Sequence, residues 1–274
     1  MLARRQAQRL AGAHPDQIGF KVTLVDGGYK AFRAALVADL PALAARHSYR
    51  VICGTTGSGK TRLLQALAAE GAQVLDLEAL AMHRSSVLGM IPGVPQPTQK
   101  AFDSRIWAAL RSFDAARPVY IESESKKVGN VVVHEGLIAA MRSSPCLQLD
   151  LSEDERVALL LEDYDFFVQH IEFFCDRLGA LTQARGKETV ADWQARSRSG
   201  DVAAVVRELL VKHYDPVYLQ SMRRNFTQYA NAPVIAPQGR SVAAMTALAR
   251  QVLAENSATA ATATIETETK NPAL

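Results

Sequence analysis

The sequence predicts an α/β fold of the P-loop NTPase type, a parallel sheet flanked by helices, with a partial α/β piece before it and a mostly helical extension after it. Three observations predict this. Gly54–Thr61 (Gly-Thr-Thr-Gly-Ser-Gly-Lys-Thr) matches G-x-x-x-x-G-K-[ST] in full, with a strand pattern before it and a helical pattern after it. Short apolar runs at Val74–Leu77, Pro118–Ile121 and Cys146–Leu151 are separated by helical or loop sequence, the spacing of a sheet built from crossover units. From Ser152 to Arg224 the pattern is helical, with breaks at Gly179, Gly186 and Gly200.

The elements follow in order. Leu2–Ala13 is rich in Ala, Arg, Gln and Leu and reads as a helix. Phe20–Val25 reads as a strand closed by Asp26-Gly27-Gly28, and a helix is expected over Tyr29–Ala38. This front piece, residues 1–48, has too few strands to bury a core alone, so either it docks on the rest or the chain lacks its beginning. Tyr49–Cys53 is the strand feeding the glycine-rich loop, and Arg62–Glu70 is the helix leaving it. Gly and Pro accumulate between Ala81 and Lys100, which reads as a long functional loop. Helix is expected again over Ala101–Ala115. Ser152 with Glu155 three residues on is a capping-box start. Val234–Ala236 reads as a last strand and Val242–Ala254 as a last helix. The P-loop domain is thus expected over 49–254, with a helical insertion at about 152–224. Residues 255–274, rich in Ala and Thr without apolar periodicity, are expected to be disordered.

Composition narrows the class. The chain has 274 residues, 48% hydrophobic and 22% charged, as in ordinary globular proteins. No apolar run approaches the ~18 residues of a membrane span, so no membrane partner is expected. Three scattered cysteines, Cys53, Cys146 and Cys175, with no Cys-x-x-Cys pair, fit a reducing cytoplasm and argue against a zinc site or disulfide framework. A net charge of +3 neither requires nor excludes RNA.

The chemistry concentrates in the loop. Gly54, Gly57 and Gly59 let the backbone of Thr55, Thr56 and Ser58 fold around an oxyanion, and the helix starting near Lys60 adds its positive end. Lys60 is placed to reach terminal phosphates and Thr61 to hold a magnesium ion. Val119-Tyr-Ile-Glu122 has the form of a Walker B strand, with Glu122 the candidate metal-ordering or water-activating acid and Glu124 one alternation further. No guanine- or adenine-reading element accompanies them, so the loop specifies phosphates without specifying a nucleoside. Arg84, Lys100, Arg105, Lys126 and Lys127 fall in segments that a doubly wound sheet brings near the carboxyl ends of its strands, and are candidate RNA contacts; the competing reading is solvated surface charge. Phe167, Ile171 and Phe174 share one helix face, as core packing or as the wall of a pocket for a hydrocarbon.

In this order the motifs resemble one family, the tRNA 2-selenouridine synthases. The residues that carry the resemblance are Gly54–Thr61, Leu75-Asp-Leu-Glu78 running into His83-Arg84-Ser85-Ser86, Gln96-Pro-Thr-Gln-Lys100-Ala-Phe102, Glu122-Ser-Glu-Ser-Lys-Lys-Val-Gly129 and Tyr214-Asp-Pro-Val-Tyr218. They span roughly residues 50–225 and depart from the pattern at Ser85, where a glycine is expected. Val22–Arg33 resembles the last strand and helix of a rhodanese domain, which members of the family carry ahead of the P-loop.

The resemblance implies a two-stage modification of tRNA carrying 2-thiouridine at the wobble position. A geranyl group from geranyl diphosphate is placed on sulfur, and the thioether is then exchanged for selenium from selenophosphate. Lys60, Arg84 and Glu122 are the residues expected to act catalytically. The selenium step is attributed to the rhodanese part, whose cysteine lies just before the helix matching Leu2–Ala13. No cysteine precedes Cys53, so selenation is expected to be impaired in this chain, or supplied by a separate rhodanese-domain polypeptide, or restored by an upstream start. The competing functional readings are a P-loop kinase or ATPase and a nucleotide-switched RNA-binding module.

Overall fold

The computed structural model describes residues 25–84 and 93–269. The helix expected at Leu2–Ala13, most of the strand from Phe20 and part of the loop after Ala81 lie outside these residues. Among the described residues the elements are α1 (Gly28–Ala45), β1 (Tyr49–Cys53), α2 (Lys60–Ala69), β2 (Gln73–Leu75), α3 (Leu77–Ala81), α4 (Gln99–Ser112), β3 (Val119–Glu122), β4 (Lys127–Val128), β5 (Val131–Val132), α5 (Glu135–Ser143) and β6 (Cys146–Leu149). There follow α6 (Glu153–Asp163), α7 (Asp165–Gln169), α8 (Ile171–Gly179), α9 (Thr182–Arg185), α10 (Lys187–Arg198) and α11 (Val202–Leu209). A π-helical turn, Leu210–Tyr214, joins α11 to α12 (Asp215–Asn225), and β7 (Val234–Ile235) and α13 (Val242–Thr269) complete the chain.

The expected parallel sheet is present, in the order β2-β3-β1-β6-β7. Every pairing in it is parallel, and β1 lies between β3 and β6, with Ile52 opposite both Glu122 and Leu147. Side chains of a strand alternate between faces, and β1 shows what that does. Val51 and Cys53 join one apolar layer with α1, α4 and α5, while Ile52 joins the opposite layer with Leu63 and Leu64 of α2 and Met245 and Leu248 of α13. Both faces are therefore covered, as a parallel sheet requires. The insertion has its own core, in which Trp193 is 0% exposed and packs with Phe167, Phe174 and Leu209.

Several elements differ from the sequence reading. The first helix runs to Ala45 through Pro41, and its Leu36, Leu40 and Leu43 are buried in the sheet's first layer, so the described part of the front piece packs on the P-loop domain. The hairpin β4–β5 and helix α5 had no counterpart in the sequence reading: two-residue strands are too short to show alternation. The aromatic stretch is not one helix. It breaks at His170, which is exposed, yet Phe167 and Phe174 still meet with ring centres 5.1 Å apart. Where a disordered tail was expected from Glu255, α13 continues to Thr269. Among the described residues no helix is long and apolar enough to cross a membrane.

Candidate active site

The Gly54–Thr61 loop leaves β1 at the carboxyl edge of the sheet and feeds α2. Gly57 and Gly59 have φ of +79° and +88°, a left-handed conformation that side chains rarely adopt. At Gly54 the requirement is space, since a Cβ there would run into Ser58 Oγ and sit 2.9 Å from the Leu149 carbonyl oxygen. Lys60 turns back across the loop, and its ammonium donates to the carbonyl oxygens of Gly54 (2.7 Å) and Thr55 (3.5 Å). The buried hydroxyl of Ser58 has no hydrogen-bond partner among the described residues. Backbone folded round a hollow, with a tethered cation and an unpartnered hydroxyl, is the chemistry of an oxyanion cradle.

Carboxylates gather beside it. Glu122 at the end of β3 is 0% exposed; one carboxylate oxygen accepts the Glu78 N–H at 2.9 Å, and the other is buried without a hydrogen-bond partner among the described residues. Carboxylate oxygens of Glu78, Glu122 and Glu124 lie within 4.8 Å of one another, and Thr61 Oγ1 is 3.4 Å from Glu78 Oε2. Burial, then the charges of Glu78, Glu124 and Asp76, hold the Glu122 carboxyl well above the usual range. Burial likewise raises Asp76, which caps α3 by accepting the Ala79 N–H. Hard oxygen donors around an orphaned buried oxygen, beside the Thr61 hydroxyl, fit a magnesium ion.

Of the predicted cations, Arg84 lines the cleft over the loop, where its guanidinium stacks on the Tyr164 ring at 4.4 Å and donates to the Asp163 carbonyl. Lys100, Arg105, Lys126 and Lys127 are exposed and do not line this cleft. Arg105 donates to the Leu80 carbonyl and Lys126 pairs with Glu135. The cleft instead draws in Arg62 and Arg142. Arg62 ties α2 to the insertion through Glu162 (3.0 Å) and Asp163 (2.7 Å).

Next to Thr56 a second, apolar cavity opens between α6, α7, α8 and α11. Leu160, Phe167, Phe174, Val206 and Leu209 form its wall, and its volume is about 50 Å³. Thr56, Leu160, Tyr164 and Tyr214 line both this cavity and the cleft. Phe167 and Phe174 are therefore core and cavity wall at once.

A family profile described as the tRNA 2-selenouridine synthase AAA domain matches residues 47–189, the stretch that carries the loop, the carboxylates and the first half of the insertion. The chain belongs to the tRNA 2-selenouridine synthase family. It is 39% identical over 230 residues to the tRNA 2-selenouridine synthase of Alcanivorax borkumensis, covering 74% of this chain and 62% of that protein. It is 32% identical over 263 residues to the one from Bdellovibrio bacteriovorus, covering 80% and 67%. With the one from Marinobacter nauticus the identity is 39% over 148 residues, covering 53% and 39%. The chain thus spans between about two fifths and two thirds of the length of these tRNA 2-selenouridine synthases.

Several residues at this site were not assigned a role from sequence. Tyr218 accepts the Gly54 N–H at 2.6 Å, lies 2.9 Å from Ser123 Oγ and places its ring 5.5 Å from the Lys60 ammonium. Arg156 donates to the Thr56 carbonyl oxygen at 2.9 Å. The signal for Arg156 was a cation ahead of an unbroken apolar run, Val157–Leu161; for Tyr218 it was membership of the Tyr214–Tyr218 motif. Cys53, by contrast, is packed away: a hydrogen bond with Cys146 and burial keep its thiol well above the ordinary range, so it is a poor nucleophile.

Proposed function

We propose that this chain carries the diphosphate-dependent half of tRNA 2-selenouridine synthesis: it binds geranyl diphosphate and transfers the geranyl group to the sulfur of 2-thiouridine at the tRNA wobble position. The observation that carries the reading is the junction of the two cavities at Thr56, an oxyanion cradle on one side and an apolar wall on the other. A substrate with a diphosphate head and a hydrocarbon tail matches that juxtaposition; a nucleoside triphosphate leaves the apolar side unused. The cleft above the loop has a volume of about 680 Å³, which leaves room for a nucleotide beside the diphosphate.

In the proposed reaction the thiocarbonyl sulfur attacks the first carbon of the geranyl chain. The carbon–oxygen bond breaks, diphosphate leaves with the electron pair, and the uracil N3 proton passes to solvent. Lys60 and the loop amides hold the leaving group as its charge grows. Thr61, Glu78 and Glu124 would hold magnesium, with Glu122 beneath them; when bound, the ion neutralises diphosphate charge. Arg84, at the rim of the cleft, is assigned to a tRNA phosphate. Lys100, Arg105, Lys126 and Lys127 are assigned to tRNA outside the cleft, where their exposure allows it. Transfer of selenium from selenophosphate is the second stage of the proposed pathway.

Titration of the chain with geranyl diphosphate, pyrophosphate and magnesium ATP tests the reading. Geranyl diphosphate is expected to bind more tightly than pyrophosphate, and 2-thiouridine tRNA to gain a geranyl group detectable by mass spectrometry. Preference for ATP with phosphate release would establish the kinase or ATPase reading instead.

A further inference from the structure

The Gly54–Thr61 loop is held at two points by one turn of α12. Asp215 takes both terminal nitrogens of Arg156, at 3.0 and 2.6 Å, and Arg156 Nε donates to the Thr56 carbonyl oxygen at 2.9 Å. Arg156 is 7% exposed and Asp215 half-buried, and the two parallel bonds fix the direction of the fork. Tyr218, three residues after Asp215 and on the same helix face, accepts the Gly54 N–H and sits beneath the Lys60 ammonium. The π-helical turn Leu210–Tyr214 comes immediately before; such a turn shifts the facing of the helix that follows it.

These contacts act on the directions of loop dipoles. A trans peptide sets its C=O and N–H antiparallel. Pinning the Thr56 carbonyl toward Arg156 therefore turns the Gly57 N–H to the opposite side of the loop. At the loop's start the Gly54 N–H is taken by the phenol, while the Gly54 carbonyl receives Lys60. Burial raises the Tyr218 phenol above its ordinary range, so it stays protonated and can donate to Ser123 while accepting from Gly54.

We propose that Asp215 and Tyr218 are positioning residues for diphosphate binding: through Arg156 and Gly54, α12 presets the loop's amide directions and the Lys60 ammonium before the ligand arrives. The inference rests on the diphosphate reading of the same loop and adds to it that the helical insertion, and not the loop sequence alone, sets oxyanion affinity.

The test measures pyrophosphate affinity by calorimetry and thermal unfolding in parallel on the full chain and on Tyr218→Phe, Asp215→Asn and Arg156→Lys. Tyr218→Phe keeps the ring and removes the hydroxyl. It is expected to keep a midpoint close to that of the unaltered chain while weakening pyrophosphate binding about tenfold. Asp215→Asn is expected to weaken it similarly, and Arg156→Lys not to preserve affinity, because an ammonium lacks the fork. Gln220→Ala, on an exposed part of the same helix, serves as the control and should change neither value. Unaltered affinity in folded Tyr218→Phe and Asp215→Asn would overturn the inference; if Asp215→Asn does not fold, Tyr218→Phe decides alone. Failure of the unaltered chain to bind pyrophosphate would overturn the diphosphate reading itself, and this inference with it.

Discussion

Glu122 and Glu78 are joined by an asymmetric contact: the Glu78 backbone N–H is received at 2.9 Å by one oxygen of the Glu122 carboxylate, while the other oxygen is buried with no hydrogen-bond partner among the described residues. A single N–H does not offset the burial of a charge beside three further carboxylates, so the group holds its proton above the usual carboxylate range.

A pH dependence of stability follows from that proton. In the window between the ordinary glutamate pKa and the raised folded-state value, the folded chain retains a proton that the unfolded chain releases. Stability therefore falls as pH rises through this window. Glu122→Gln keeps an acceptor for Glu78 and removes the titration. Without divalent cations its unfolding midpoint should exceed that of the unaltered chain at pH 8, and the gain should vanish near pH 4. A variant less stable at every pH would show that the carboxyl is fixed by partners instead.

Magnesium should act on the same group with the opposite sign. A bound cation stabilises the carboxylate and releases the Glu122 proton. Adding magnesium at pH 7 is expected to raise the midpoint of the unaltered chain and to raise that of Glu122→Gln less. Equal shifts in the two proteins would place the ion elsewhere.

Lys60→Ala removes the tethered ammonium at a half-buried, non-core position. Pyrophosphate binding should weaken by about tenfold or more, the value of one charge-assisted hydrogen bond or more. The unfolding midpoint should stay close to the original. Calorimetry and a thermal melt on the same sample separate the two effects.

Gly59→Ala forces a side chain into a left-handed conformation, and the new Cβ would also displace Met245 Cε, the movable end of a flexible side chain. It should destabilise the chain by about 1–3 kcal/mol and abolish pyrophosphate binding, measured by chemical denaturation and calorimetry.

Val206→Phe fills the apolar cavity from α11, and Val206 does not line the cleft over the loop. Affinity for geranyl diphosphate should fall toward that for pyrophosphate, and pyrophosphate affinity should not change. If both ligands were weakened equally, the cavity would have no part in binding the tail.

How much of this was legible in the sequence depends on distance along the chain. Strand β1, the loop and α2 are contiguous, and the glycines, Lys60 and the alternation of Val51, Ile52 and Cys53 are local signals, so sequence alone identified them within a residue or two. The same holds for the Ser152 cap, whose hydroxyl accepts the Glu155 N–H. Short elements were lost, since β4 and β5 are two residues each and carry no period to read.

By itself the sequence determined the α/β class, the family pattern and the loop, because each rests on residues within hydrogen-bonding reach of their chain neighbours. Only the tertiary structure decided which side chains surround that loop. Tyr218 lies 164 positions from the glycine whose amide it receives, Arg156 lies 100 from the carbonyl it holds, and Glu122 lies 44 from Glu78. Pairings at such separations depend on strand order and on how the insertion packs, and no local periodicity encodes them. The same packing kept Arg84 in the cleft and left Lys100, Arg105, Lys126 and Lys127 outside it, a division that charge and spacing could not make.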